Sequence, residues 1–293
     1  VKNKNVMMGY LFIAPWIIYF LVFILYPFFL SFQNSFLDIN VLSPESTQFV
    51  GLNNWISVSS DGLFWRSLFN VIFNQVIFVL LSFVLAMGMA LLLHEITHFG
   101  GLFRTIMFIP VITSITVAMI IFNFLSSPAG PVQSLLLEWG VLDAPVFWKF
   151  ERWLPMPLIA VFSTWKWFGI QMIIFLGGIA GISKSLYEAA DIDGASWRRK
   201  TWSITLPLLK PQIIFVMTMN IINGMQMFIE VLMNFDLHGG PYNAALTPVL
   251  YLYKTGFSDM KMGTASTIGL LLAAVIYIFT MLQLKFTQEK EHS

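Results

Sequence analysis

The sequence predicts an all-α polytopic membrane protein with six transmembrane helices. Three observations carry this. The 293 residues are 57% hydrophobic and only 11% charged, with mean hydropathy +0.77, whereas soluble chains carry roughly 25% charged residues. Six segments are apolar over the ~20 residues that a bilayer-spanning helix needs, and a helix satisfies its own backbone in hydrocarbon. A single long polar, charged stretch, residues 184–211, separates two such segments in the second half of the chain. A formal net charge of +1 leaves no basic footprint for nucleic acid. The lack of cysteine excludes disulfides, thiolate zinc sites and iron–sulfur clusters.

The spans fall near residues 8–32, 68–93, 103–125, 158–182, 212–235 and 267–284, within one membrane domain covering 1–293. Lys2 and Lys4 precede the first, as in a signal peptide. Its apolar run is too long for one and no A-x-A-like cleavage site follows, so a retained anchor is expected. Pro27 and Pro110 sit within or at the edge of spans, where neighbouring helices must satisfy the freed carbonyls. With the amino terminus inside, the inner segments hold Lys2, Lys4, Arg104, Lys184, Arg198, Arg199, Lys200, Lys210, Lys285 and Lys290. The outer ones hold only Arg66, Lys149, Arg152, Lys254 and Lys261. Positive charge favours the cytoplasmic side, so both termini and the 184–211 segment are expected there.

Within that segment Ser185 and Glu188 have the spacing of a capping box, and Gly194 can supply the positive φ that ends a short helix. A second short helix follows from Ala195, limited by Pro207 and Pro211. The product is a helix-turn-helix on the membrane face. Arg198-Arg199-Lys200 suits anchoring at lipid headgroups.

Glu188-Ala189-Ala190, three residues, Gly194, nine residues, then Ile204-x-Leu206-Pro207 resembles the EAA loop of bacterial ABC importer permease subunits. FVGLNNW (49–55), FRTIMFIPVITS (103–114) and GGPYNAALTPVLYLY (239–253) are similar to the sugar-permease branch, of the maltose F and glycerol-phosphate A type. The first outer segment, residues 33–67, is too short for the extra outer domain of the maltose F subunit. The resemblance implies a type I importer permease fold, a bacterial inner-membrane location and carbohydrate import by alternating access. It makes 184–211 a coupling helix seated in an ATPase subunit. There Glu188 would meet a basic residue, Ala189 and Ala190 would allow close approach and Gly194 would turn, with Asp193, Leu206 and Pro207 completing the element. It implies a second permease subunit, two ATP-binding subunits holding ATP and Mg, and an extracytoplasmic solute-binding protein. No G-x-x-x-x-G-K-[ST] string occurs, so ATP hydrolysis is expected from those partners and not from this chain.

Span five carries Asn220, Asn223, Gln226, Glu230 and Asn234; the last four, spaced by three and four, are expected on one helical face. Trp165, Trp167 and Gln171 on span four could add aromatic faces and an amide for a sugar. A carboxylate inside a span marks a functional site by default, whereas amides there also serve as interhelical glue worth about 0.6 kcal/mol. Amides outnumber cations in span five, which favours an uncharged glycan. Lys166, between two tryptophans, suits a snorkelling cation or a cation–π contact. Asn70, Asn74 and Gln75 read as a packing patch. His94, His98, His238 and His292 lack metal spacing, so no metal, resident cofactor or catalytic residue is assigned. A self-sufficient ion-coupled carrier or channel, using Glu230 or Lys166, is the alternative, and it leaves the loop unexplained. An intramembrane enzyme lacks a Ser/His, H-E-x-x-H or paired Asp motif.

Overall fold

The computed structural model describes residues 2–39, 44–96 and 99–288. It is helical almost throughout. The first span is a continuous rod of α1 (Lys2–Tyr19), a π-helical stretch (Phe20–Leu25) and α2 (Tyr26–Asn34). The wide turn has a local cause: Tyr26 N–H reaches back to Leu21 O just before Pro27, which has no N–H to continue the ladder. A two-stranded antiparallel pair, β1 (Leu37–Asp38) and β2 (Gln48–Phe49), and α3 (Asn53–Ser60) lead into the second span, α4 (Gly62–Glu95).

The third span departs from the sequence reading. A single helix over 103–125 is replaced by α5 (Gly100–Ile112) and α6 (Ile115–Ser126), parted by Thr113 and Ser114 in extended conformation. Pro110 weakens the ladder near the end of α5, and a partner from another helix, described below, takes carbonyls left free where α5 ends. α7 (Pro131–Glu138) follows, then the fourth span, α8 (Pro155–Ala180).

Beyond the polar loop, which holds α9 (Lys184–Ile192), α10 (Trp197–Lys200) and α11 (Leu206–Leu208), comes α12 (Lys210–Gly224). The stretch 197–208 meets α12 at a bend of 67°. The expected fifth span over 212–235 is corrected here: α12 stops at Gly224, and only the single turn α13 (Ile229–Leu232) resumes it. α14 (Pro248–Tyr253) and the last span, α15 (Met262–Gln288), complete the chain. Among the described residues five helices are long and apolar enough to cross a membrane, or six with the bent pair counted as one span.

The chain forms two compact units. Residues Val1–Trp65 and Tyr251–Ala274 make one. Its core joins Val58, Phe64 and Ile268. Asn54 and Trp55, from the FVGLNNW string, fasten the end of α2: Asn54 Nδ2 donates to Ser35 O and Leu37 O, each at 3.0 Å, and Trp55 Nε1 donates to Ser35 Oγ at 3.2 Å. Gly263 of α15 lies against the Leu37 carbonyl, where any Cβ would collide. The Tyr251 hydroxyl donates to the Asp61 carboxylate.

Residues Arg66–Leu250 and Val275–Ser293 make the other unit. Ala86, Ala90 and Leu93 form an i, i+4, i+7 stripe on α4, which meets Met172, Phe175, Leu176 and Ile179 of α8, and Leu209 and Val216 join them. Small residues let these helices approach. A Cβ on Gly169 would strike the Met107 carbonyl of α5, and one on Gly178 would crowd Leu209 and Gln212. This second unit carries every candidate site residue.

Candidate functional site

The polar loop is a built element. α8 ends at Gly181, and the chain turns extended at Ser183, whose carbonyl accepts the Leu186 N–H at 3.2 Å. Ser183 is therefore the N-cap, and the expected Ser185–Glu188 box is not formed. Ser185 sits in the first turn, 2.8 Å from Ser183 Oγ. The other end matches the sequence reading: Gly194 has φ +70°. Ala195 N–H reaches Ala190 O at 2.9 Å and Gly194 N–H reaches Asp191 O at 3.0 Å, the paired bonds of a Schellman stop. Ser196 then caps α10 by accepting the Arg199 N–H.

Three cross-links fix the two short helices. Lys200 Nζ pairs with Asp191 Oδ1 at 2.7 Å, Trp197 Nε1 donates to Glu95 Oε1 at the end of α4 at 2.7 Å, and Tyr187 and Thr205 hydroxyls meet at 2.9 Å. Lys200 is thus committed to the loop rather than to headgroups. Glu188, Ala189, Asp193, Gly194 and Pro207 are exposed, and Ala190 is half-buried. Leu206 packs against the core beside α8 and so supports the loop from beneath. Ile192, which sequence reasoning passed over, is 87% exposed. An isoleucine held in water on a pinned helix is the apolar knob a partner would cover, and its signal was a lone large apolar residue between two aspartates.

The second feature is a cavity of about 580 Å³ among α4, α8, α12 and α13. Trp167, Gln171, Asn220, Asn223 and Glu230 line it, as do Gln75 and Ser163. Gln171 Nε2 donates to Asn220 Oδ1 at 3.2 Å. Gln75 Oε1, Ser163 Oγ and Gln171 Oε1 are buried and have no hydrogen-bond partner among the described residues. Buried polar atoms are normally satisfied, so three unmet oxygens from α4 and α8 around one cavity mark a place for ligand hydroxyls or water. Among the described residues no Lys or Arg lines the cavity, and Glu230 is the only ionisable one on its wall.

Trp165, Gln226 and Asn234 lie outside it. Trp165 is two residues from Trp167, and positions i and i+2 of a helix face apart. It packs beside Ala118, Met119 and Phe162. The break after Gly224 removes Gln226, Glu230 and Asn234 from the face of α12. Gln226 is exposed and bonds Ile222 O, while Asn234 Nδ2 bonds Glu230 O at 2.8 Å and touches Met119 Sδ. At the end of α12 the Gln75 amide occupies the space a side chain at 224 would need, so a glycine is required there. Gln75, read as packing, therefore belongs to the cavity wall. Asn70 and Asn74 do pack, holding the carbonyls of Asn243, Leu246 and Met156.

Lys166 is 1% exposed and does not snorkel. Its Nζ donates to the carbonyls of Pro110, Val111 and Thr113 at 2.6, 2.9 and 2.8 Å, and lies 4.6 Å from the Trp167 ring centre. One ammonium thus satisfies the broken end of α5, where the helix dipole is negative, with all three of its donors. His98 and His292 lie outside the described residues.

With this geometry in hand, the chain compares as follows. The family described as binding-protein-dependent transport system inner membrane component matches residues 62–290. The arabinooligosaccharides transport system permease protein AraP of Halalkalibacterium halodurans is 35% identical, over 97% of this chain and 89% of that one. The lactose transport system permease protein LacF of Rhizobium radiobacter is 32% identical, over 97% and 95%. The sn-glycerol-3-phosphate transport system permease protein UgpA of Agrobacterium fabrum is 30% identical, over 98% and 97%. In fold, a crystal structure of a bacterial ABC transporter involved in the import of the acidic polysaccharide alginate superposes with TM-score 0.84 at 21% identity, over 98% of this chain and 97% of that one.

Proposed function

The chain belongs to the binding-protein-dependent transport system inner membrane component family, and from that premise we propose that it forms half of the pathway of an ATP-driven importer for a neutral di- or oligosaccharide. One observation carries the cargo class. The cavity offers an indole face, side-chain amides, unpaired oxygens and one carboxylate, with no cation on its wall. Sugar hydroxyls pair with such acceptors, whereas a phosphate or uronate would bring its charge toward Glu230 with only Lys166 near, a cation whose donors are already committed to three carbonyls. The relatives named for arabinooligosaccharide and lactose transport agree with a neutral glycan.

In this reading the permease works with a second permease subunit, two ATP-binding subunits and an extracytoplasmic solute-binding protein. ATP and Mg reside on the ATP-binding subunits, and this chain holds no cofactor. α9 is the coupling helix: Glu188, Ala189, Ala190, Asp193, Gly194 and Ile192 present its docking face. ATP-driven closure of the subunits beneath would move α9; its Asp191–Lys200 pair would carry that motion to α10, whose Trp197 holds Glu95 of α4, and its Tyr187 would carry it to Thr205 on the stretch that leads to α12. The pathway residues are Trp167, Gln171, Asn220, Asn223 and Glu230, with Gln75 and Ser163 added. Both termini and α9 face the cytoplasm.

The test is ATP hydrolysis by the co-purified complex with its binding protein, across neutral, acidic and phosphorylated sugars. Stimulation by a neutral glycan, dependent on the binding protein, is expected. Uptake by the chain alone, with no ATPase in the preparation, would overturn the assignment.

A further inference from the structure

α8 has a second working face. Trp167 turns toward the cavity described above, while Trp165, on the other side, lines a separate apolar cavity of about 410 Å³ with Phe122, Leu136 and Leu158. This cavity lies toward the start of α8, at the end of the helix remote from the polar loop. A smaller hollow of about 200 Å³ adjoins it; the two share Ser126, Trp148 and Leu158, and the hollow adds Asn123 and Lys149.

The hollow contains unmet hydrogen-bonding capacity of both kinds. Trp148 Nε1, a donor, and Asn123 Oδ1, an acceptor, are buried without partners among the described residues. Lys149 is half-buried, and burial lowers its pKa from the ordinary lysine value with no carboxylate to offset it. Two donors, one of them cationic, one acceptor and an apolar slot beside them match an amphiphile carrying a phosphate.

We propose that the paired cavities form a phospholipid site. An acyl chain lies in the apolar slot, phosphate oxygens accept from Lys149 Nζ and Trp148 Nε1, and a headgroup hydroxyl or ammonium donates to Asn123 Oδ1. The surroundings fit a membrane–water boundary: Trp139, Phe147, Phe150 and Trp153 are exposed nearby in sequence, the aromatic enrichment found at headgroup level, with Arg152 beside them. A peptide occupant would have to satisfy its own backbone groups in a slot with almost no polar wall, which an acyl chain does not require. Lipid tails are as apolar as the slot, so hydrophobic transfer contributes little and selectivity resides in the headgroup: the Lys149 cation favours a lipid of net negative charge, and Asn123 Oδ1 favours a glycerol hydroxyl over choline, which has no donor.

The experiment uses the full chain with its co-purifying subunits, reconstituted in nanodiscs of phosphatidylglycerol, phosphatidylcholine or an equal mixture, and read by native mass spectrometry after release. Wild type is expected to retain one phospholipid, with phosphatidylglycerol favoured several-fold from the mixture. Leu158→Trp fills the slot and should abolish retention while leaving helicity by circular dichroism unchanged. Lys149→Gln should keep a bound lipid and lose the headgroup preference. A wild type that retains no lipid, or a preference unchanged in Lys149→Gln, overturns the proposal. So does a photo-crosslinker at position 158 that captures a protein subunit in place of lipid.

Discussion

At residue scale the centre of the molecule is Lys166. A lysine in a span is expensive unless every donor is met, and here three backbone carbonyls meet them. Lys166→Met removes the charge but orphans those carbonyls at about 1–3 kcal/mol each. The variant should melt well below wild type in a detergent thermal-shift assay; an unchanged melting temperature would mean water replaces the ammonium and the bond set is incidental. Glu230→Gln is a different kind of change. It keeps the shape of the cavity wall and removes its one charge, so assembly should stay intact while the half-saturation for a neutral sugar shifts several-fold and discrimination against acidic sugars weakens. Unchanged uptake kinetics with both sugar types would assign Glu230 to packing. Gly224→Ala would push its Cβ into the Gln75 amide. Gln75 is flexible, so the fold should survive and transport affinity should fall, and adding Gln75→Ala should restore part of the loss.

At element scale the docking helix α9 owes its shape to Gly194. Open space surrounds that position, so only its positive φ resists a side chain. Gly194→Ala should cost about 1–2 kcal/mol of local strain, loosening α9 against α10 without a clash. Uptake should drop while membrane insertion stays normal. Glu188→Ala, in contrast, leaves the helix intact and should uncouple ATP hydrolysis from uptake; full coupling in that variant would remove Glu188 from the docking role. This element was legible in the sequence because polar residues between apolar spans have few other uses, and Gly194 announces a turn by its chemistry. The broken spans were not legible. Hydropathy sees residues 103–125 and 212–235 as apolar runs and cannot register that Lys166 captures three carbonyls or that Gln75 fills the place of a side chain at 224. Both breaks lie beside tertiary partners far away in sequence, and helical periodicity carried across them misassigned Gln226 and Asn234. The same limit hid Gln75, whose polar neighbours Asn70 and Asn74 do serve packing.

At the scale of the whole molecule, the functional reading depends on which side each loop faces, and α8 offers a sharp test. Its 26 residues extend about 39 Å, more than the ~30 Å of bilayer hydrocarbon, so the chain before Pro155 and the loop after Ala180 are expected on opposite sides. The protein has no cysteine, so single cysteines can be introduced without background. Asp143 and Ser185 are both exposed and stand on either side of α8. In spheroplasts, a membrane-impermeant maleimide should label Asp143→Cys at once and Ser185→Cys only after permeabilisation, as the excess of Lys and Arg around α9 requires. The inverse pattern would turn α9 away from any cytoplasmic ATPase and remove the coupling mechanism with it. Labelling of both from the outside would mean that α8 does not cross the membrane, and the cavity built on Trp167 and Gln171 would then lose its role as a transport path.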